Sequence, residues 1–200
     1  LASETLALQA KGQLLTKDDY PLRLAFASHI RPQGFESMHI RGTTKGALNA
    51  LSIEADALAP FPAHLQGRLN GLLGATTWQA TLESPEIVLS KIHKNWPEQR
   101  FAKVGVNGQG TLDTYTLHVH SMAGLPQVPN PSELSVEIQG DGDGINIDTL
   151  HLAQGRSELS AKGRLAWNPS LSWQGEVNGS HLDPSLFLAA WPGDFTGRLT

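Results

Sequence analysis

Apolar and polar residues alternate along almost the whole chain, and this period of two restricts the fold more than any other feature. Tyr20, Leu22, Leu24 and Phe26 fall on one parity, with Pro21, Arg23 and Ala25 between them. The pattern recurs at Leu51, Ile53 and Ala55, at Trp78, Ala80 and Leu82, and at Val104 and Val106. It continues through Tyr115, Leu117 and Val119, then Leu134, Val136 and Ile138, then Ile145 and Ile147. Further on come Leu150 and Leu152; Leu159 and Ala161; Leu165 and Trp167; Leu171, Trp173, Gly175 and Val177; and Phe195, Gly197 and Leu199. A period of two sends alternate side chains to opposite faces of a strand. Each strand therefore has one apolar and one wet face, as in antiparallel sheet covered on one side only. Helical signal is confined to HLDPSLFLAAWPG, where Asp183 is an N-cap, Pro184 takes the first helical position and Pro192-Gly193 ends the turn.

Composition supports an all-β fold. Apolar residues make up 40% of the 200 and charged residues 17%, which allows a packed structure rather than disorder. The 20 glycines and 12 prolines punctuate short apolar stretches, as strands and turns require. A net charge of −4 offers no basic face for a nucleic acid and no polybasic segment. Cysteine is absent, so disulfides, thiolate metal ligands and thiol chemistry are excluded. The longest uninterrupted apolar run, Leu186 to Trp191, falls far short of the roughly 20 residues of a membrane span. The chain opens at Leu1 without a signal peptide and reads as part of something longer.

Several motifs resolve into strand and turn grammar. IQGDGDGINIDT (138–149) has the Asp-Gly spacing that begins a calcium loop. Counted from Asp141, however, the fifth position is Ile145, the sixth Asn146 and the twelfth Leu152, so ligands are missing from the third onward. The same letters suit a tight hairpin whose residues take positive φ, which would hold Ile138 and Ile145 in register on one face. His118 and His120 share a strand face, opposite Leu117 and Val119, with no third ligand in a predictable place; polar-face histidines are the simpler reading. GVNGQG (105–110) has the glycines of a dinucleotide loop but is followed by strand rather than the helix a pyrophosphate needs. No nucleophile with a nearby base, no G-x-S-x-G and no P-loop occurs, so no catalytic residue, metal ligand or cofactor site is assigned, and the chain is not read as an enzyme.

Weak internal repetition runs through the chain. ALQAKGQLLTKDDYPLRLAF (7–26) resembles GVNGQGTLDTYTLHVH (105–120), GFESMHIRG (34–42) resembles SELSVEIQG (132–140), and PAHLQGRL (62–69) resembles PGDFTGRL (192–199). Residues 1–200 are accordingly expected to form a single repetitive β domain with copies at 7–69 and 105–199, the second carrying an extra stretch near 141–175.

The order of motifs in LSAKGRLAWNPSLSWQGEVNGSHLDPSLFLAAWPGDFTGRLT (159–200) is more specific than any one of them. A strand ends in G-x-L-x-W, a loop leads to W-x-G, and a D-P-x-L-F helix precedes W-P-G-x-F-x-G-x-L. Preceded by INIDTLHLAQGRSEL, this resembles the central periplasmic region of the TamB family, inner-membrane-anchored subunits of the bacterial translocation and assembly module within the AsmA-like superfamily. PAHLQGRLNGLLGATTWQATLESPEIVLSKI repeats the style less sharply. The resemblance implies an elongated, curved antiparallel sheet folded like a taco shell around an open apolar groove, with one or two short helices. It further implies a periplasmic bridge for phospholipid acyl chains between inner and outer membranes. The outer-membrane barrel subunit TamA would be met through other regions of a longer protein.

The alternation supplies a lining for such a groove: Leu22, Leu24, Phe26, Leu51, Ile53, Val104, Val106, Leu117, Val119, Leu134, Val136, Ile138, Leu150, Leu152, Leu159, Leu165, Trp167, Leu171, Trp173 and Val177. Exposing a lipid chain to water costs about 0.8 kcal/mol per CH₂, which a continuous apolar trough offsets at every step. Two alternatives use the same letters. A closed β-sandwich would seal these faces against each other. A chaperone-like or structural scaffold would pair its strand edges with outer-membrane protein strands by β-augmentation.

Overall fold

A computed structural model describes residues 5–16, 20–32, 35–124, 131–168, 170–182 and 195–199. They form β1 (Thr5–Leu14), β2 (Pro21–Arg31), β3 (Met38–Ala47), β4 (Ala50–Ala59), β5 (Ala63–Asn70), β6 (Thr77–Val88) and β7 (Arg100–Thr111). These continue into β8 (Tyr115–Gly124), β9 (Ser132–Gly140), β10 (Gly144–Gln154), β11 (Ser157–Ala166), β12 (Ser172–Leu182) and β13 (Phe195–Leu199). A single 3₁₀ turn, Leu89–Lys91, is the sole helical element among the described residues. The helix expected from Asp183 to Gly193 lies outside them.

All 13 strands belong to one sheet in chain order, every pair antiparallel and every extended contact between neighbours in sequence. The sheet is not closed: β1 and β13 are its two edges. Turns from odd to even strands lie at one end of the strands, here the upper rim, and turns from even to odd strands lie at the lower rim. At about 4.8 Å between strands, the sheet runs roughly 58 Å from edge to edge along its contour.

The architecture is a single layer. A closed 21.5 kDa protein would expose roughly 9,200 Å² of surface. This chain exposes 13405 Å². Buried apolar side chains are few among the described residues: Leu51, Ala55, Ala63, Val88, Val104 and Ala123. A sealed sandwich of this length would bury far more, so the sandwich alternative falls and the open curved sheet stands. Leu51 (4% exposed) and Val88 (3%) reach such burial although no second sheet overlies them among the described residues. Sheet coiling brings their neighbours on the same face inward around them.

Irregularities steer the strands. Register shifts occur in β7 against β8 between Ala102 and Gly105, where Lys103 takes φ 51°, and in β12 against β13, where His181 takes φ 50°. A left-handed non-glycine residue is costly, and at a bulge it re-aims the strand. In β10 a bulge after Ile147 switches parity: Ile147 pairs with Ile138, then Leu150 pairs with Val136. The change from odd to even apolar positions in the sequence is this bulge.

Candidate functional site

Register assembles the apolar residues into rows on one face. The uppermost runs Leu14, Leu22, Gly46, Leu51, Leu69, Trp78, Gly110, Tyr115, Gly140, Ile145, Leu165 and Trp173. A middle row runs Ala10, Phe26, Gly42, Ala55, Leu65, Leu82, Val106, Val119, Val136, Leu150, Ala161, Val177 and Leu199. The sequence-derived lining residues lie on this face, with two exceptions. Trp167 and Leu171 stand in the β11–β12 connection. Trp167 is half exposed, its indole Nε1–H donating to the Gly142 carbonyl at 3.0 Å, and Leu171 is 77% exposed. A tip position frees both from the pleat that orients their neighbours.

Leu65, Leu69, Trp78, Leu82, Tyr115, Ile145 and Ile147 share the face and are missing from the sequence-derived lining. Their parity is visible in the letters, and period two over residues 63–69 suffices to place Leu65 and Leu69.

Glycines decide how the large side chains lie. A Cβ on Gly108 would stand 2.9 Å from the Trp78 ring, and one on Gly42 would stand 2.6 Å from the Phe26 ring. Gly140 would collide with the Tyr115 ring, and Gly163 and Gly175 with Trp173. At Gly42, Gly108, Gly140 and Gly163 a ring on one strand covers a glycine of the next, the pairing that stabilises glycine within sheets, whereas Gly175 lies on the same strand as Trp173. The rings thus fill gaps within the face. No sequence pattern reveals these pairs, because partners become neighbours only through register.

Small hydroxyls interrupt the apolar face towards its lower half. Ser84, Ser121 and Ser132 are buried there, and Thr44, paired with Leu24 and Ile53, is buried nearer the upper rim. Ser84 Oγ donates to the Pro62 carbonyl at 2.7 Å, whereas Ser121 Oγ has no hydrogen-bond partner among the described residues.

The opposite face is polar and laced by charge. Asp56 on β4 accepts a 2.9 Å hydrogen bond from His64 Nδ1 on β5 and lies 3.7 Å from Arg41 Nε on β3. The bond to Asp56 raises the His64 pKa above the ordinary histidine value, and the bond to His64 lowers the Asp56 carboxyl. His118 stands 3.5 Å from Glu137, and the His120 ring covers Gly105. Among the described residues no three His, Asp or Glu side chains are placed to hold a metal. GVNGQG lies inside β7.

Asp141 to Gly144 form the β9–β10 turn, with Asp141 N–H donating to the Gly144 carbonyl at 3.0 Å. The expectation of positive φ is corrected: Gly142, Asp143 and Gly144 are not left-handed. Asp141 Oδ1 instead accepts from the N–H groups of Asp143 (2.8 Å) and Gly144 (2.9 Å), a side-chain acceptor that makes an ordinary turn sufficient. Those two bonds, with Arg164 nearby, hold the Asp141 carboxyl below the usual range. Ile145 pairs with Gly140 rather than Ile138, although all three share the apolar face.

Fold and face together define a class: a single-layer antiparallel β-protein with an open, continuous apolar groove. A family model described as TamB, N-terminal domain, matches residues 1–200, and the chain belongs to the TamB family. The matched region is the N-terminal domain, which replaces the central placement expected from motif order. No solved structure matches the chain. The role is thus TamB-related, and no described helix is long and apolar enough to cross a membrane.

Proposed function

We propose that this segment is a non-enzymatic section of a periplasmic, inner-membrane-anchored bridge whose apolar face shields phospholipid acyl chains between the two membranes. The observation that supports it is an apolar face continuous over 13 strands with no covering sheet among the described residues. Rings that fill the space over Gly42, Gly108 and Gly140 occupy gaps within that face. Non-directional contact of this kind holds a chain without trapping it at one place. TamA contact, on this reading, belongs to other regions of the full-length protein.

Photo-crosslinkers at Val136 and Ile138 are expected to capture phospholipid in cells, while those at His118 and Glu137 stay empty. Equal capture from both faces would sink the groove assignment. A second reading, strand addition, draws on the outer edges of β1 and β13, which pair with no further strand among the described residues. It predicts crosslinks from β1 to nascent outer-membrane barrel strands rather than to lipid.

A further inference from the structure

A hydroxyl buried in an apolar wall needs a hydrogen-bond partner. On the groove face one such hydroxyl has none. Ser121 on β8 is 6% exposed, and its Oγ is unpartnered among the described residues. Ser84, buried on the same face, is engaged by the Pro62 carbonyl. Thr116 Oγ1 is unpartnered too, but its side chain takes the opposite parity to Leu117, on the polar face, and the residue is only half-buried.

The backbone beside Ser121 is irregular. Pairing between β7 and β8 passes from Ala102–Met122 to Gly105–His120, which leaves Lys103 and Val104 together opposite Ser121. Lys103 is held there at φ 51°. Bulges of this kind re-aim a neighbouring side chain, and left-handed strain in a non-glycine residue gathers at ligand clamps. A free buried donor and a strained bulge therefore coincide at one place in the groove wall.

The surroundings decide what Ser121 can donate to. Val104 lies across the bulge, Val119 and Ala123 lie two positions away along β8, and Leu134 lies directly opposite on β9. Lys103 is exposed and borders a depression of the polar face with Asp56 and His64, so it adds no charge to this wall. A carboxylate or phosphate placed against Ser121 would lose its water without a cation beside it. A neutral carbonyl loses far less and gains the hydroxyl.

We propose that Ser121 is a positioning residue for a diacyl glycerolipid, its hydroxyl donating to an acyl ester carbonyl. This rests on the groove reading above and gives the cargo an orientation. Above Ser121 the face runs through Val119 and Leu117 to Tyr115, about 20 Å at 3.3 Å per residue. One leaflet of hydrocarbon is roughly 15 Å deep, so the tails fit in that direction. Below Ser121 only about 10 Å of strand remains, carrying Ala123 and, opposite it, Ser132 before β8 ends at Gly124. The headgroup therefore leaves at the lower rim.

The test is competition for lipid capture by a crosslinker at Val136. Dipalmitoyl phosphatidylethanolamine is set against its dihexadecyl ether analogue, which lacks both carbonyls. The parent should prefer the ester roughly fivefold, the scale of one neutral hydrogen bond. Ser121→Ala should hold the two lipids alike, at the parent's ether level, whereas Thr116→Ala should compete like the parent. An isotope-labelled ester carbonyl should absorb at lower infrared frequency on the parent than on Ser121→Ala. Because its Oγ has no partner within the protein, Ser121→Ala should melt at or above the parent temperature. Palmitate, a free carboxylate, should compete less well than the ester. Equal competition in the parent, a preference that survives Ser121→Ala, a melting temperature lowered by that substitution, or palmitate outcompeting the ester each overturns the proposal and leaves the groove reading in place. Absence of any lipid capture at Val136 overturns both.

Discussion

The two faces of this sheet share every backbone hydrogen bond and differ in almost everything else. One is apolar, floored by rings lying over glycines. The other is a lattice of ion pairs, exposed at His118–Glu137 and half-buried at Asp56–His64 and on the Glu176 side of Lys162–Glu176. Among the described residues neither has a second layer to bury it. On the apolar side, curvature and cross-strand contact do the work that a partner sheet does in a sandwich. On the polar side, solvent screens most pairs, and such pairs add little each. Stability should therefore respond steeply to shape on the apolar face and only weakly to charge on the other.

The largest effect is expected from Gly42→Val. Its side chain would meet the Glu54 carbonyl at 2.6 Å on one side and the Phe26 ring at 2.6 Å on the other. A loss of about 3 kcal/mol in denaturant-derived stability is expected; a neutral result would mean the ring does not rest on the glycine. Leu51→Ala comes next, at about 2.5 kcal/mol, the low end for a buried leucine because an open face relaxes more easily than a closed core. Val136→Arg should cost about 1 kcal/mol or less, since water reaches its half-buried position, while abolishing acyl crosslinking. Outright unfolding by that substitution would mean the face is sealed after all.

The smallest effect lies on the polar face. His64 is raised by its bond to Asp56, so its contribution is complete below its unfolded pKa of about 6.5 and fades as pH rises through the raised value. Asp56 is lowered by the same bond, so its contribution is complete above about 3.9 and fades as pH falls through the lowered value. The stitch between β4 and β5 is strongest between those limits. Asp56→Asn should flatten the shallow decline in melting temperature above neutral pH; an unchanged profile would show that the pair contributes nothing.

Much of this architecture is legible in the amino-acid sequence. Leu134, Val136 and Ile138 declare a strand and its apolar side, and the parity break between Ile147 and Leu150 marks a bulge. Whether apolar faces close on each other is not legible from alternation, because a sandwich and an open sheet alternate identically; only the motif order of residues 159–200 favours the open form. Rings over glycines escape because Trp78 and Gly108 are 30 positions apart and meet only through the pairing of β6 with β7. Trp167 and Leu171 mislead for the opposite reason: alternation continues in the letters after the strand has ended at Ala166. The Asp141 turn is legible and its dihedrals are not, since a side-chain acceptor can replace a backbone conformation.

Strict chain-order pairing also governs how such a sheet comes into being. Among the described strands none waits for a distant partner, so loop closure between them never exceeds one hairpin and contact order stays low for an all-β chain. A polypeptide delivered end first can add each strand to the edge left by the last. Growth by one more hairpin disturbs no existing contact beyond that edge, so length can vary by duplication without repacking what came before.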